Sequence, residues 1–352
     1  MIDLRDDWQD KGAWDQFVER QPEARFCHYF SYASLLGCYG YVTRNLCFLK
    51  DGELIGVLPA AQVNTLLTGR RLVSQPFSEY GGILLEPQLS EDDVAEVFHR
   101  LSVYRQTTLR STLIEMHGNH GVPHDLRDKW TVSALPQHVA LLSLNRSEDE
   151  LWHKVVRYSA RKAVNQARNN GLTVEFECNS DVIRKHFMPL YRRSMRRLGV
   201  PPHKPEYYLG CYQVFGDKML IAWAKHASAE APIAGLLGFL CGNRVSIINT
   251  ISDQEYWHLR PNDLLHWSLI QWARDRNCDV FDFGTVRYDG QKTFKQKWGA
   301  ELIKHNHYFI GEARALNSSS ETMQVMAEVW RRYVPGPVAQ RIGPILRRQL
   351  TR

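Results

Sequence analysis

The tightest constraint on the fold lies between residues 218 and 310. Three apolar runs follow one another: KMLIAWAKH from Lys218, IAGLLGFLCG from Ile233 and RVSIINTIS from Arg244. Each is strand-length, rich in β-branched and aromatic residues, and bounded by polar or glycine-containing turns. NDLLHWSLIQWARDRNC, from Asn262, then carries amphipathic helical spacing. VFDFG (Val280 to Gly284) reads as a buried strand, and ELIKHNHYFI (Glu301 to Ile310) as one last strand. A β-β-β-α-β order with helices before it implies an α/β (α+β) architecture, a mixed sheet flanked by helices.

The first half repeats this order loosely. A short helical pattern covers Asp15 to Glu19, and HYFSYASLLGCYGY (His28 to Tyr41) reads as a second helix. LCFLKDGELIGVLPAAQV is a hairpin turning at Asp51-Gly52, a pair suited to the strand twist. Ser90, followed by acids, starts a helix, and STLIEMHG and HVALLSL are strands. The common order suggests an internal duplication. A chain of 352 residues is too long for one ordinary core. The expected division is 1–147, 148–312 and a basic amphipathic tail, 313–352, reached through a Ser-rich linker at 312–322.

The charge points the same way. After Glu328 there are six arginines and no acid, so the tail alone carries the net charge of +6. Its Val325, Met326, Val329, Trp330 and Tyr333 suit either packing on the body or docking on an anionic membrane. No apolar run reaches the ~18 residues of a membrane span. The start, MIDLRDDWQD, is acidic and polar, unlike a signal peptide. The expectation is a cytoplasmic protein, peripheral at the inner membrane if the tail docks there. The seven cysteines include no CxxC pair and sit mostly in apolar runs, which reads as reduced core thiols.

Three segments carry candidate chemistry. A single helix is expected over 151–169, with Lys154, Arg157, Arg161 and Arg168 on one face and apolar residues opposite. Four aligned cations suit phosphate or nucleic acid, or simply form a solvated face. In VFDFGTVRYDGQKTFKQKWGAE a strand ends at Gly284, a polar loop follows, and Phe294, Lys295 and Lys297 come just before the last strand. A lysine there can hold charge developing on a carbonyl oxygen. In MRRLGVPPHKPEYY the prolines stiffen a loop from which His203, Lys204 and Tyr207 project. His117, His120 and His124 lie in a Gly/Pro loop with no completing ligand motif, so no metal is expected. His305 and His307 share one strand face, as packing residues do. GxSxG, Walker A, HExxH and dinucleotide fingerprints do not occur.

Taken together, RYSARKAVNQARNNGL, MRRLGVPPHKPEYY, LRPNDLLHWSLIQWARDRNCDVFDFG and TFKQKWGAE resemble the second domain of Fem-type aminoacyltransferases. SEYGGILLE, with Tyr80, is similar to a loop of their first domain. The tail WRRYVPGPVAQRIGPILRR resembles Fem-like proteins encoded beside exosortase and exopolysaccharide systems. The resemblance implies two tandem GNAT-like domains that acylate an amine of a peptidoglycan precursor from aminoacyl-tRNA, with no permanently bound cofactor. It places Phe294 and Lys295 on the family's Phe-Lys pair, whose lysine stabilises charge during transfer. His203, Lys204 and Tyr207 fall in the loop that contacts precursor phosphates, and Tyr80 and Asn249 join the substrate-binding set. His203 stands where a family member has arginine, and Ser34 near a position that lysine can occupy. Those departures fit a different acceptor, such as an amino sugar on a lipid-linked polysaccharide.

The mechanism expected from this is attack of a neutral amine on an activated carbonyl, with positioning as the main contribution. Lys295 then holds the oxyanion, a role worth on the order of 3 kcal/mol, and Asp282 is either a base or a structural hydrogen-bond partner. Arg157 and Arg161 are candidate tRNA contacts. The helix beginning Arg260-Pro261-Asn262-Asp263 has no glycine turn and carries an acid where a CoA pyrophosphate would sit, which argues against acyl-CoA. Two other readings stay open: an acyl-CoA-dependent N-acetyltransferase of polysaccharide amino sugars, and a non-catalytic GNAT-like protein that binds partners of polysaccharide synthesis.

Overall fold

The computed structural model describes residues 1–66, 69–111, 113–118, 132–135, 137–311 and 320–349. His120, His124 and most of the 312–322 linker lie outside the described residues. Two compact units emerge. The first is Met1–Gln137 with Lys304–Thr322 and Ile345–Arg352; the second is His138–Ile303 with Met323–Pro344. They are interleaved along the chain and are not the contiguous segments 1–147, 148–312 and 313–352.

The first unit is built on β1 (Ile2–Arg5), β2 (Val42–Lys50), β3 (Glu53–Thr65), β4 (Gly69–Ser74), β5 (Leu84–Leu85), β6 (Leu113–His117), β7 (Val132–Leu135) and β15 (His307–Gly311). Their order is β1-β2-β3-β4-β6-β15-β7, with β5 pairing β3. The β2–β3 hairpin turns at Asp51 (φ 53°) and Gly52 (φ 87°), the two positive φ angles that match strand twist. Helix α1 (Lys11–Arg20) buries Trp14 and Phe17. Helix α2 (Glu91–Tyr104) starts from a capping box in which Ser90 and Asp93 satisfy each other's backbone N–H. Its Phe98 and Leu101 close a core with Leu46, Phe48, Leu72, Ile114 and Ile310. The helix expected over 28–41 is three short turns, Phe26–His28, Tyr32–Leu35 and Leu36–Tyr39.

The second unit holds β8 (His138–Ser143), β9 (Thr173–Phe176), β10 (Met219–Lys225), β11 (Ala234–Cys241), β12 (Arg244–Ser252), β13 (Val280–Thr285) and β14 (Glu301–Lys304), in the order β14-β8-β13-β12-β11-β10-β9. Helices α3 (Tyr158–Asn169) and α6 (Pro261–Arg274) bring Ala160, Val164, Leu264 and Ile270 onto Leu220, Ala222, Leu236 and Val245. Helix α4 (Met188–Leu198) packs on β12, and α5 (Pro205–Phe215) on β10. Helix α7 (Asp289–Gln296) forms inside the segment read as a polar loop. The tail forms α8 (Ser320–Tyr333) and α9 (Gly336–Gln349).

The two sheets share one plan. In each, two strands pair parallel over three residues: Arg71, Leu72 and Val73 of β4 with Leu113, Ile114 and Glu115 of β6, and Arg244, Val245 and Ser246 of β12 with Val280, Phe281 and Asp282 of β13. The first of the three paired residues on one strand is arginine and the third on its partner is a carboxylate, both times. Arg71 Nη1 lies 2.5 Å from Glu115 Oε2, and Arg244 Nη1 lies 3.9 Å from Asp282 Oδ2, all four residues being buried. The plan extends to the strand beside β6 and β13. ELIKHNHYFI is two strands: β14 stays in the second sheet, and after His305-Asn306 the chain enters the first as β15.

Candidate active site in the second unit

After their three paired residues β12 and β13 part. β13 kinks at Gly284 (φ 76°), and its register on β8 shifts between Asp282 and Thr285. Asp282, wholly buried, holds the kink by accepting the Gly284 N–H at 2.9 Å. The released carbonyls of Gly284 and Thr285 are met by Lys295 from α7, whose Nζ donates to them at 3.0 and 2.6 Å. Burial pushes the Lys295 ammonium down from its ordinary 10.5 to about 8; the Asp282 charge raises it, and Arg287 lowers it. Two ammonium protons are thus fixed on backbone oxygens. Asp282 acts on the site through this kink and its field, the place of a positioning group.

Beside this lysine is a cleft of about 520 Å³, lined by Arg157, Ser159, Trp257, Arg260, Asp263, Phe294 and Lys297 among others. The N-termini of α3 and α6 open there, capped by Arg157 and Arg260, with Pro261 at the first position of α6. Such termini present unpaired N–H groups and favour anions. Asp263 does not oppose an anion as the sequence suggested. Its carboxylate is buried, paired with Lys297 Nζ and 3.3 Å from Arg260 Nε. Three cations thus stand against one neutralised acid. Lys297 Nζ also sits 4.1 Å from the centre of the Phe294 ring.

The sequence-based candidates separate. Phe294 and Arg157 line the cleft, with Lys295 and Asp282 in the strand gap behind. The single cationic helix does not form. Its first part is Glu148–Glu150 and Leu151–Val155, then Val156 and Arg157 are extended, because the Arg157 N–H bonds the Lys297 carbonyl at 2.8 Å. Arg161 spends its guanidinium on the carbonyls of Trp152, His153 and Val156, at 3.0, 3.2 and 2.6 Å, and so closes the end of the earlier segment. Lys154 pairs with Glu150. His203 is buried and stacked on Tyr207, 4.4 Å between centres, while Lys204 caps α5. The Tyr208 hydroxyl donates to Asn249 Oδ1 at 2.9 Å. Tyr80 belongs to the first unit, where it lines a cavity of about 290 Å³ with Arg25, His28, His117 and His305. Ser34 donates to the Ser31 carbonyl at 2.7 Å.

Two features escaped the sequence reading. One is the Arg260–Asp263–Lys297 group; the i,i+3 spacing of the first pair was a faint signal for it. The other is His266, buried behind Phe294 and stacked on Phe283. Its Nδ1–H donates to the Asn262 carbonyl at 2.6 Å, and burial drives its pKa down to about 4, so it is a neutral prop. Among the described residues, no group of His, Cys, Asp or Glu stands together as metal ligands, and no helix is long and apolar enough to cross a membrane.

Residues 154–296 match the family described as acetyltransferase (GNAT) domain, a segment that includes the α3 and α6 termini, the β12–β13 gap and Lys295. The second unit therefore carries a GNAT acyltransferase domain, and the chain is an acyltransferase. Among solved structures, the chain is similar to FemX, at 14% identity and a TM-score of 0.69, over 92% of this chain and 100% of that one. It is also similar to the C-terminal domain of a putative lysylphosphatidylglycerol synthetase from Agrobacterium fabrum, at 13% and 0.57, over 90% and 95%. A third is a tandem GNAT protein from the clavulanic acid biosynthesis pathway, at 14% and 0.53, over 90% and 100%. No curated protein matches the sequence. These likenesses give the fold, two GNAT-like modules with mixed sheets.

Proposed function

We propose that the protein is a Fem-type N-acyltransferase that forms an amide on an amine of a cell-envelope precursor, with an aminoacyl-tRNA ester as donor. The observation that carries the chemistry is Lys295. A buried ammonium, fixed on two carbonyls where the strands part, is a preorganised donor for an oxyanion. The amine attacks the ester carbonyl, the C–N bond forms, the oxyanion collapses, and the ester oxygen leaves with the proton the amine gives up. The likeness to FemX and to a lysylphosphatidylglycerol synthetase domain supports an envelope acceptor, which we take to be a muropeptide or exopolysaccharide precursor, lipid-linked and met at the inner membrane. Arg157, Arg260 and Lys297 would receive donor phosphates, and Phe294 would pack on the acyl end.

One observation favours a second donor. With Asp263 neutralised, the α6 terminus can also accept a pyrophosphate, so acyl-CoA is the competing reading. Calorimetry with a stable aminoacyl-tRNA analogue and with CoA separates the two. Salt-sensitive binding of the tRNA, lost in Arg157→Ala, supports the first, and binding of CoA alone replaces it with the second. With the donor that binds, full transfer activity in Lys295→Ala would remove the assignment of Lys295, and no transfer by the wild type would leave the non-catalytic reading.

A further inference from the structure

The tail is anchored and yet keeps an apolar face uncovered. Trp330 and Ala339 are buried in the second unit. Gly199 (φ 72°) admits α8 so closely that a Cβ there would lie 2.4 Å from the Ala327 carbonyl oxygen, and Gly343 of α9 stands against Pro202 in the same way. At about 100° per residue, Val325, Met326, Val329 and Tyr333 fall on one arc of roughly 100° beside Trp330. They are 61, 44, 48 and 69% exposed. On α9, Val338 and Ile342 are exposed one turn apart, and at the end of α4 Leu198 is 44% exposed. Arg332 and Arg341 flank these stripes, and Arg196 of α4 stands beside Gly336. Between Val325 and Tyr333 of α8 the sole acid is Glu328, 3.9 Å from Arg332.

We infer that this face seats the protein on an anionic lipid bilayer. Apolar side chains at mid-exposure, rimmed by arginines and already held in helices, match the boundary between acyl chains and negative headgroups. A second copy of the same face would bring arginine against arginine, and a polar protein groove would leave the valines and Tyr333 unmatched. The helices are ordered beforehand by their packing, so little ordering is needed on contact. The inference deepens the lipid-linked reading of the acceptor, which it rests on for its purpose, but it does not depend on the transfer chemistry.

The test is co-sedimentation of the full chain with phosphatidylcholine–phosphatidylglycerol vesicles and with phosphatidylcholine vesicles, at low and high salt. Binding confined to the mixed vesicles and weakened by salt is expected, with Arg332→Gln and Arg341→Gln each lowering it about fivefold. Val329→Ser with Tyr333→Ser should lower it further while the melting temperature holds, because Trp330 is untouched. Equal partition onto both vesicles, or no loss in the Ser variant, overturns the inference. So does a dimer in light scattering that the Ser variant dissolves, since the face would then belong to a second copy. Lys295→Met should bind vesicles like the wild type, so loss of transfer and loss of docking are read separately.

Discussion

Lys295→Met isolates the cost of keeping a charge where the site needs it. Methionine preserves the length of the side chain and the helical preference of α7 while removing the ammonium. In the folded protein Lys295 titrates at about 8, against 10.5 when exposed. Between those values the unfolded chain still holds the proton and the folded chain has released it. Wild-type stability therefore rises with pH across the window, by about 3 kcal/mol in all. Below about 8 both states are protonated and the folded state bears the full penalty. Other groups titrate there too: burial lifts the thiols of Cys47 and Cys178 to about 12 and of Cys278 to about 11, which gives the opposite slope. That background is common to both proteins, so the informative quantity is their difference. Urea unfolding followed by tryptophan fluorescence from pH 7 to 10.5 should show the wild type gaining on Lys295→Met by about 3 kcal/mol. Transfer activity should move the other way, falling as pH rises through 8 and the oxyanion loses its donor. Parallel stability curves would refute the buried-charge account of Lys295, however inactive the variant proved.

The ion pair of the first unit offers a second measurement. Arg71→Met takes the guanidinium from the buried Glu115 carboxylate, which keeps His117 Nε2 at 3.0 Å, and should cost about 3–5 kcal/mol in thermal or urea unfolding. Adding Glu115→Leu should recover most of that loss. Gly299→Ala should destabilise well beyond Gly52→Ala in thermal melts. Both glycines have positive φ, a strain of about 1–2 kcal/mol, but a Cβ at Gly299 would lie 2.2 Å from Val155 Cγ1 whereas Gly52 faces open space. Asp263→Asn should tighten binding of the phosphate-bearing donor severalfold in calorimetry by releasing Lys297 and Arg260, and Arg157→Ala should weaken it.

What could be read from the sequence was what is decided locally. Asp51-Gly52 dictates its own turn, Ser90 and Asp93 their own cap, and the apolar runs of β10 to β13 their own strands. What could not be read depends on a distant partner. The break at Val156–Arg157 is made by the Lys297 carbonyl and by the reach of Arg161 back over the preceding turn. The division of ELIKHNHYFI at His305-Asn306 follows from which sheet each piece joins, and its alternation is the same in either. The site divides likewise. Phe294 and Lys295 were legible through a family pattern, and Asp282 through its place on the strand. The neutral state of His266 and the pairing of Asp263 are products of burial, which residue spacing does not express.

The placement of β15 also governs when the protein can finish folding. The first sheet needs residues 307–311 to sit between β6 and β7. A ribosome that has delivered Gln137 must add some 170 residues more before that slot can be filled. At roughly 5–20 residues per second this is on the order of 10–30 seconds. Throughout that interval the facing edges of β6 and β7 lack their shared neighbour, open to any strand that arrives first. The nascent chain therefore stays unsealed until residue 311 has emerged, so a stop codon anywhere before it leaves both halves of the protein in jeopardy, the later half cut short and the earlier one never closed.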